Sequence, residues 1–240
     1  MSSSRSPTAF FLLSFAVLQT VFGADTIQHD CSSLKFFGES PYEYNLNQLL
    51  DNLKDRTPPS GFAQHTVGSF FSRVHGLALC RGDLQAKDCG ACVAEASNEI
   101  RNLCPNSRMA IIWYNNCMLK YSSLYFFGLV DYLHYYYKYN EYNNVKYESH
   151  FTQSRNKFLS QLVKQAQTNS KLFGTEVMKL GNSTLYGLAQ CTRDLSKSDC
   201  KQCLVTAVHR FRQSGHDKST GWFGFGSCNV RYETYPFLKS

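Results

Sequence analysis

The sequence predicts an α+β fold built twice in tandem, each unit helices packed on an antiparallel sheet and stapled by disulfides. Three observations lead there: a repeated cysteine spacing, amphipathic helical stripes, and β-prone runs set apart from them. Cys80, Cys89 and Cys92 have eight and then two residues between them, and Cys191, Cys200 and Cys203 repeat that spacing 111 residues later. The surroundings repeat as well. His75-Gly-Leu-Ala-Leu-Cys80 answers Tyr186-Gly-Leu-Ala-Gln-Cys191, and Asp83-Leu84 answers Asp194-Leu195.

The elements follow in order. Leu46, Leu49, Leu50 and Leu53 fall at i, i+3, i+4 and i+7, one stripe of an amphipathic helix, and Phe158, Leu159, Leu162, Val163 and Ala166 give its counterpart. A second helix is expected to open with Asp88 or Asp199 as its N-cap. It places Cys89, Cys92, Val93, Ala96 and Ile100 on one face, and Cys200, Cys203, Leu204, Ala207 and Phe211 on the matching one. Strands are expected over Ser69–Leu79, Met109–Lys120, Leu124–Tyr139, Ser183–Gln190 and Gly221–Tyr232. The expected division is a leader over 1–23, units over 27–130 and 140–238, and a linker or last strand over 131–139.

Composition excludes several classes. With 240 residues, 43% hydrophobic and 18% charged, the chain can bury substantial cores and is not a disordered polymer. The net charge of +7 is scattered, and its longest cluster, His209-Arg210-Phe211-Arg212, is too thin to argue for nucleic acid. Arg5 precedes an apolar stretch from Ala9 to Phe22, with Val21 and Gly23 at the −3 and −1 positions of a cleavage before Ala24. That is a signal-peptide pattern, too short to span a bilayer. The best later apolar run, Leu119–Leu133, is broken by Lys120 and Asp131, and Phe237–Ser240 carries no hydrophobic tail. The chain therefore reads as secreted, with neither a membrane span nor a lipid-anchor signal, and its ten cysteines read as a disulfide framework.

Catalytic signatures are missing. None of the seven histidines sits in a nucleophile or metal motif, and Gly-x-Ser-x-Gly, His-Glu-x-x-His and P-loop patterns do not occur. His75 reads as a packing residue. Secretory context, an even count and helical phase favour bridges over zinc at the Cys-x-x-Cys pairs. Cys89 and Cys92, three residues apart on one helix, point outward alongside each other and are poor partners for one another. The sequence calls for no cofactor and no metal.

Two copies of this cysteine pattern behind a leader resemble the plant cysteine-rich repeat secretory proteins, whose unit is the ginkbilobin-2-homologous, or stress-antifungal, domain. The resemblance spans essentially the whole mature chain. It implies that each unit is two helices packed on a five-stranded antiparallel sheet, and a pairing of first with fifth, second with third and fourth with sixth cysteine. Carried over, that pairing gives Cys31–Cys104, Cys80–Cys89 and Cys92–Cys117 in copy one. Copy two has Gly215 where the fifth cysteine would stand and lacks the first as well, which leaves Cys191–Cys200 and Cys203–Cys228. The family's founding seed protein binds mannose through an Asn after the first cysteine, an Arg six before the last and a Glu five after it. The matching residues here are Ser32, Ile111 and Ser122 in copy one; in copy two they are Trp222 and Glu233, of which Glu233 alone agrees.

The stretch Tyr132-Leu-His-Tyr-Tyr-Tyr-Lys-Tyr139, followed by Tyr142, is expected to be a last strand of copy one that packs between the units. Period two puts Tyr135, Tyr137 and Tyr139 on one face, and Tyr132 and Tyr136 on the other with His134. One set should be dry against the sheet of copy two. Asn182-Ser-Thr184 is the sequon for an N-linked glycan. The sequence thus describes a secreted, non-enzymatic apoplastic protein whose partner is an extracellular protein or a carbohydrate. Signalling or defence is the first reading, and an antifungal lectin is the alternative.

Overall fold

A computed structural model describes residues 26–139, 149–180, 183–214 and 220–239. The leader, the cleavage point before Ala24, Tyr142, Asn182 and Gly215 lie outside the described residues. Copy one runs β1 (Thr26–Cys31), α1 (Pro41–Ser60), β2 (Phe62–Val67), a short 3-10 turn (Phe70–Ser72), β3 (Val74–Cys80), α2 (Ala86–Leu103), β4 (Met109–Tyr114) and β5 (Cys117–Ser122). Copy two follows as β6 (Tyr135–Tyr139), α3 (Ser149–Thr168), β7 (Phe173–Leu180), β8 (Ser183–Cys191), α4 (Lys197–Ser214), β9 (Gly221–Phe225) and β10 (Cys228–Glu233). Two five-stranded antiparallel sheets result, ordered β1-β4-β5-β3-β2 and β6-β9-β10-β8-β7.

Several boundaries differ from the sequence expectation. The tyrosine strand is not the last of copy one: β6 pairs with β9 and is the first strand of copy two. Residues 123–134 carry no strand, so the expected run Leu124–Tyr139 is extended only from Tyr135. Met109–Lys120 and Gly221–Tyr232 are each the greater part of a hairpin, turning at Asn115-Asn116 and Gly226-Ser227. Ser69–Leu79 opens in the 3-10 turn and becomes a strand at Val74. The helices begin before the expected caps, leaving Asp88 and Asp199 at the third helical position, near the positive end of the helix dipole. Ser196 caps α4: its Oγ accepts the Asp199 N–H at 3.1 Å and its hydroxyl donates to Asp199 Oδ2 at 2.6 Å. Gln85, at the N-cap of α2, makes no side-chain cap bond.

Strand alternation explains the layering. In copy one, Val74, Ala78, Cys80, Ala110, Ile112, Leu119 and Tyr121 face the helices, together with Leu46, Leu49 and Val93. The opposite face of the sheet is buried too. Leu77, Leu79, Ile111, Trp113 and Met118 meet Tyr136 and Trp222 of copy two in a separate core. The order is helices, sheet, sheet, helices, so β3, β4 and β5 are buried or nearly so along their whole lengths. The glycine repeated after His75 and Tyr186 has a steric reason. A Cβ on Gly76 would stand 2.7 Å from Leu49 Cδ2, and one on Gly187 would stand 2.6 Å from Phe158 Cε1, so these strands admit no side chain where the first helix crosses.

Five disulfides hold this frame: Cys31–Cys104, Cys80–Cys89 and Cys92–Cys117, then Cys191–Cys200 and Cys203–Cys228. Cys31 is paired in register with Ala110, and Tyr139 is paired with Gly221, which stands 111 residues after Ala110. Tyr139 thus occupies the position of the missing first cysteine. Its ring packs on Phe211 of α4 at 5.7 Å, an aromatic contact in place of a covalent one. Such a contact does not restrict the unfolded chain, whereas a bridge across 73 residues does. Hydrogen exchange of the native protein should therefore show longer protection at the β1–α2 junction than at the β6–α4 junction. Equal protection at the two junctions would refute this account.

Candidate functional site

The sequence-selected ligand positions fall in two places. Ser32 and Ser122 line one cavity of about 450 Å³ beside the 123–134 segment of copy one. Ile111 does not join them, being fully buried between the sheets. Trp222 and Glu233 line a second cavity of about 270 Å³, walled also by Lys138, Arg231, Tyr235 and Asn115.

In copy two, Glu233 is not the surface carboxylate that a lone match suggests, being only 7% exposed. Arg231 Nε donates to its Oε1 at 2.9 Å, and Arg231 Nη2 donates to the Tyr235 hydroxyl at 3.1 Å. The same guanidinium lies over the rings of Trp222, at 4.7 Å, and Phe237, at 4.2 Å. Trp222 also meets Tyr136 edge to face at 5.5 Å. Both sequence-selected residues are thus engaged within the protein. Arg231 was missed by sequence reasoning; its signal was the i, i+2 spacing to Glu233, which puts both on one face of a strand.

In copy one several polar groups of the cavity are bonded locally. Ser32 Oγ donates to the Leu34 carbonyl at 3.0 Å, and Ser122 Oγ accepts the Leu124 N–H at 3.0 Å. The Lys120 ammonium pairs with Asp131 and lies 4.6 Å from the centre of the Phe126 ring. Asp131 also accepts from His134 Nδ1 at 2.8 Å. Large apolar side chains stay open on the cavity rim: Leu34, Leu124, Tyr125, Leu129 and Leu133 are 61–85% exposed. Arg108, on the same rim, donates from Nη1 to the carbonyl of Phe71, which links the cavity to Phe70 and Phe71, 88% and 91% exposed. Phe70 has a φ of +47°, a left-handed conformation that costs a bulky residue about 1–3 kcal/mol. His75 lies behind this face, against Tyr125 and Phe127 and bonded to Thr66 Oγ1 at 2.8 Å. Its burial and the nearby Arg73 lower its pKa.

The tyrosine strand alternates with the expected period of two, but its buried side faces copy one rather than copy two. Tyr136 is buried at 4% and stacks toward Trp113 at 5.2 Å, facing the sheet of copy one because its own strand belongs to copy two. Gly224, opposite Tyr136 in register, leaves the space that its ring fills. Tyr135 and Tyr137 are 56% and 61% exposed, and Tyr132 is 37% exposed. Among the described residues no helix is long and apolar enough to cross a membrane, and no group of three or more His, Cys, Asp or Glu could hold a metal ion.

Paired sheets with outer helices and disulfide staples define the chain as a tandem extracellular-type α+β module. The salt stress response/antifungal family model matches residues 30–124 and 138–235, and the chain belongs to that family. It is 43% identical, over the full length of both chains, to an antimicrobial ginkbilobin-2-like protein of Castanea crenata. It is also 43% identical to cysteine-rich repeat secretory protein 38 of Arabidopsis thaliana, across 88% of this chain and 85% of the relative. The tandem DUF26 ectodomain of the Arabidopsis cysteine-rich receptor-like protein PDLP8 superposes with a TM-score of 0.79 at 28% identity, covering 89% of this chain and all of that one. The corresponding PDLP5 ectodomain gives 0.72. The protein is extracellular, like the secretory relatives that it matches.

Proposed function

We propose that the protein acts in the plant apoplast as a non-enzymatic binding module in signalling or defence, and that its copy-one cavity receives apolar side chains of a partner protein. One observation carries this reading: Lys120, Asp131 and His134 in the cavity are bonded to one another and Ser32 and Ser122 to nearby backbone, while its rim exposes several leucines and a tyrosine. Sugars need open donors and acceptors, and apolar side chains do not. The leader is removed before Ala24, and Asn182 carries a glycan.

The carbohydrate reading rests on one feature of copy two. Arg231 is the register partner of Trp222, which returns a guanidinium beside Glu233 in a cavity with an indole wall. The secreted protein should give a blank glycan array, mannose polymers included. Capture of a defined partner from extracellular fluid should fail for Leu124→Ser/Leu133→Ser, with thermal stability changed by no more than about 0.5 kcal/mol. Saturable mannose binding that Glu233→Gln abolishes would instead establish the lectin.

A further inference from the structure

The charge of the chain is unevenly placed. α3 carries Arg155, Lys157 and Lys164 with no acid, and α4 carries Lys197, Lys201, Arg210 and Arg212 against Asp199 alone. In copy one, α1 and α2 carry Glu43, Asp51, Asp55, Asp88, Glu95 and Glu99 against only four Lys or Arg. A repeat that preserves fold and disulfides has thus changed the sign of one helical layer.

That layer also has a groove. Between α3 and α4 lies a space of about 560 Å³ with Val163, Val205 and Val208 along it, Val205 being 52% exposed. Lys164, Lys201, His209 and Arg212 edge it. Lys164 and Lys201 are exposed, and none of the three Lys/Arg groups is paired with an acid among the described residues. Arg212 Nε is buried without a hydrogen-bond partner. The matching place in copy one is built differently, although Arg101 Nη1 there is also buried without a hydrogen-bond partner. Gly90 stands for Lys201 with Pro58 packed over it, and Arg101, standing for Arg212, is held by Glu43 at 2.5 Å.

We propose that this groove docks an acidic amphipathic segment of an extracellular partner. Its apolar stripe would lie on the valines, and its carboxylates would meet Lys164, Lys201 and Arg212. Helix-in-groove recognition needs an apolar floor and a rim of opposite charge, and both are present. No Phe, Tyr or Trp lines the groove, which disfavours a sugar chain stacking there, and its concave shape disfavours a flat lipid surface. The site is distinct from the copy-one cavity and stands whether or not that reading holds.

The test uses the full secreted protein and a labelled helix-forming peptide with leucines at i, i+3, i+4 and i+7 and glutamates elsewhere. Its length matches α4, about 27 Å. Fluorescence anisotropy should show saturable binding that weakens with salt and falls at least tenfold in Lys164→Glu/Lys201→Glu, both exposed positions. Arg212→Gln should weaken it independently, while Lys87→Glu on copy one leaves it unchanged. Equal binding of a scrambled peptide of the same composition would overturn the proposal, as would indifference to the groove variants. So would saturable, groove-dependent binding of polygalacturonate or phosphatidylserine vesicles in the peptide's place, or no binding at all.

Discussion

Truncating Trp222 to Ala should destabilise the protein by about 3–5 kcal/mol, the cost of emptying a large aromatic site in a packed core. Trp222 is 5% exposed and lies in the inter-sheet cluster with Tyr136, Trp113, Leu77 and Ile111. Its loss also strips the ring from one side of the Arg231 guanidinium, leaving that buried charge to Glu233, Tyr235 and Phe237. The measurement has a convenient reporter, because the chain has two tryptophans and Trp113 is the other. Urea unfolding should show the lower stability, and Trp113 emission should shift to the red in native conditions as water enters between the sheets. Far-UV circular dichroism should stay close to that of the parent, since each copy keeps its own helices, sheet and disulfides. Tyr137→Ala, at a position 61% exposed, should move stability by no more than about 0.5 kcal/mol. Unchanged Trp113 emission and unchanged unfolding in Trp222→Ala would show that the sheets do not depend on this contact.

The repeat itself was legible because cysteines and glycines at fixed spacing carry a strict geometric demand. Cys80 and Cys191, or Gly76 and Gly187, can be replaced by little else where they stand. The edge strands β1, β2 and β7 were not legible. Segments such as Thr26–Cys31 and Phe62–Val67 are half exposed and polar, so neither alternation nor an apolar run marks them. The assignment of the tyrosine strand failed for a different reason. Chain order places it next to β5, and only pairing with β9 reveals it as the first strand of the following unit. Near the ligand positions, the family resemblance pointed to Glu233 and Trp222 but not to what occupies them. Arg231 reaches both through strand geometry, and its choice of partner is a tertiary event. Lys120 and Asp131 were visible only as charges interrupting an apolar run. Their pairing across the 123–134 segment depends on how that segment folds back, which no local pattern encodes.

That pair should have the other large effect. Lys120 and Asp131 have side chains only 6% and 9% exposed, so Asp131→Ala leaves a buried ammonium without its partner and should cost about 3–5 kcal/mol. The damage should extend to the seam between the copies. The Asp131 N–H donates to Ser227 Oγ at 3.0 Å, and the Gly128 N–H donates to Asp194 Oδ2 at 2.8 Å, so this segment ties copy one to copy two. The pH dependence has a definite sign. Burial by itself would raise the Asp131 carboxyl, but the hydrogen bond from His134 and the charge and hydrogen bond of Lys120 outweigh it and hold the pKa well below the usual carboxylate range. A folded-state value beneath the unfolded value of about 4 means that Asp131 contributes fully above that pH and progressively less as pH falls toward the folded value. Thermal melts should therefore show the parent losing stability below about pH 4, with a shallower decline in Asp131→Asn. Adding Lys120→Met to Asp131→Asn should recover part of the loss at neutral pH, because the unpaired charge is then gone. An acid slope identical in parent and Asp131→Asn, or a double variant no better than the single, would show that the pair does not set the strength of the seam.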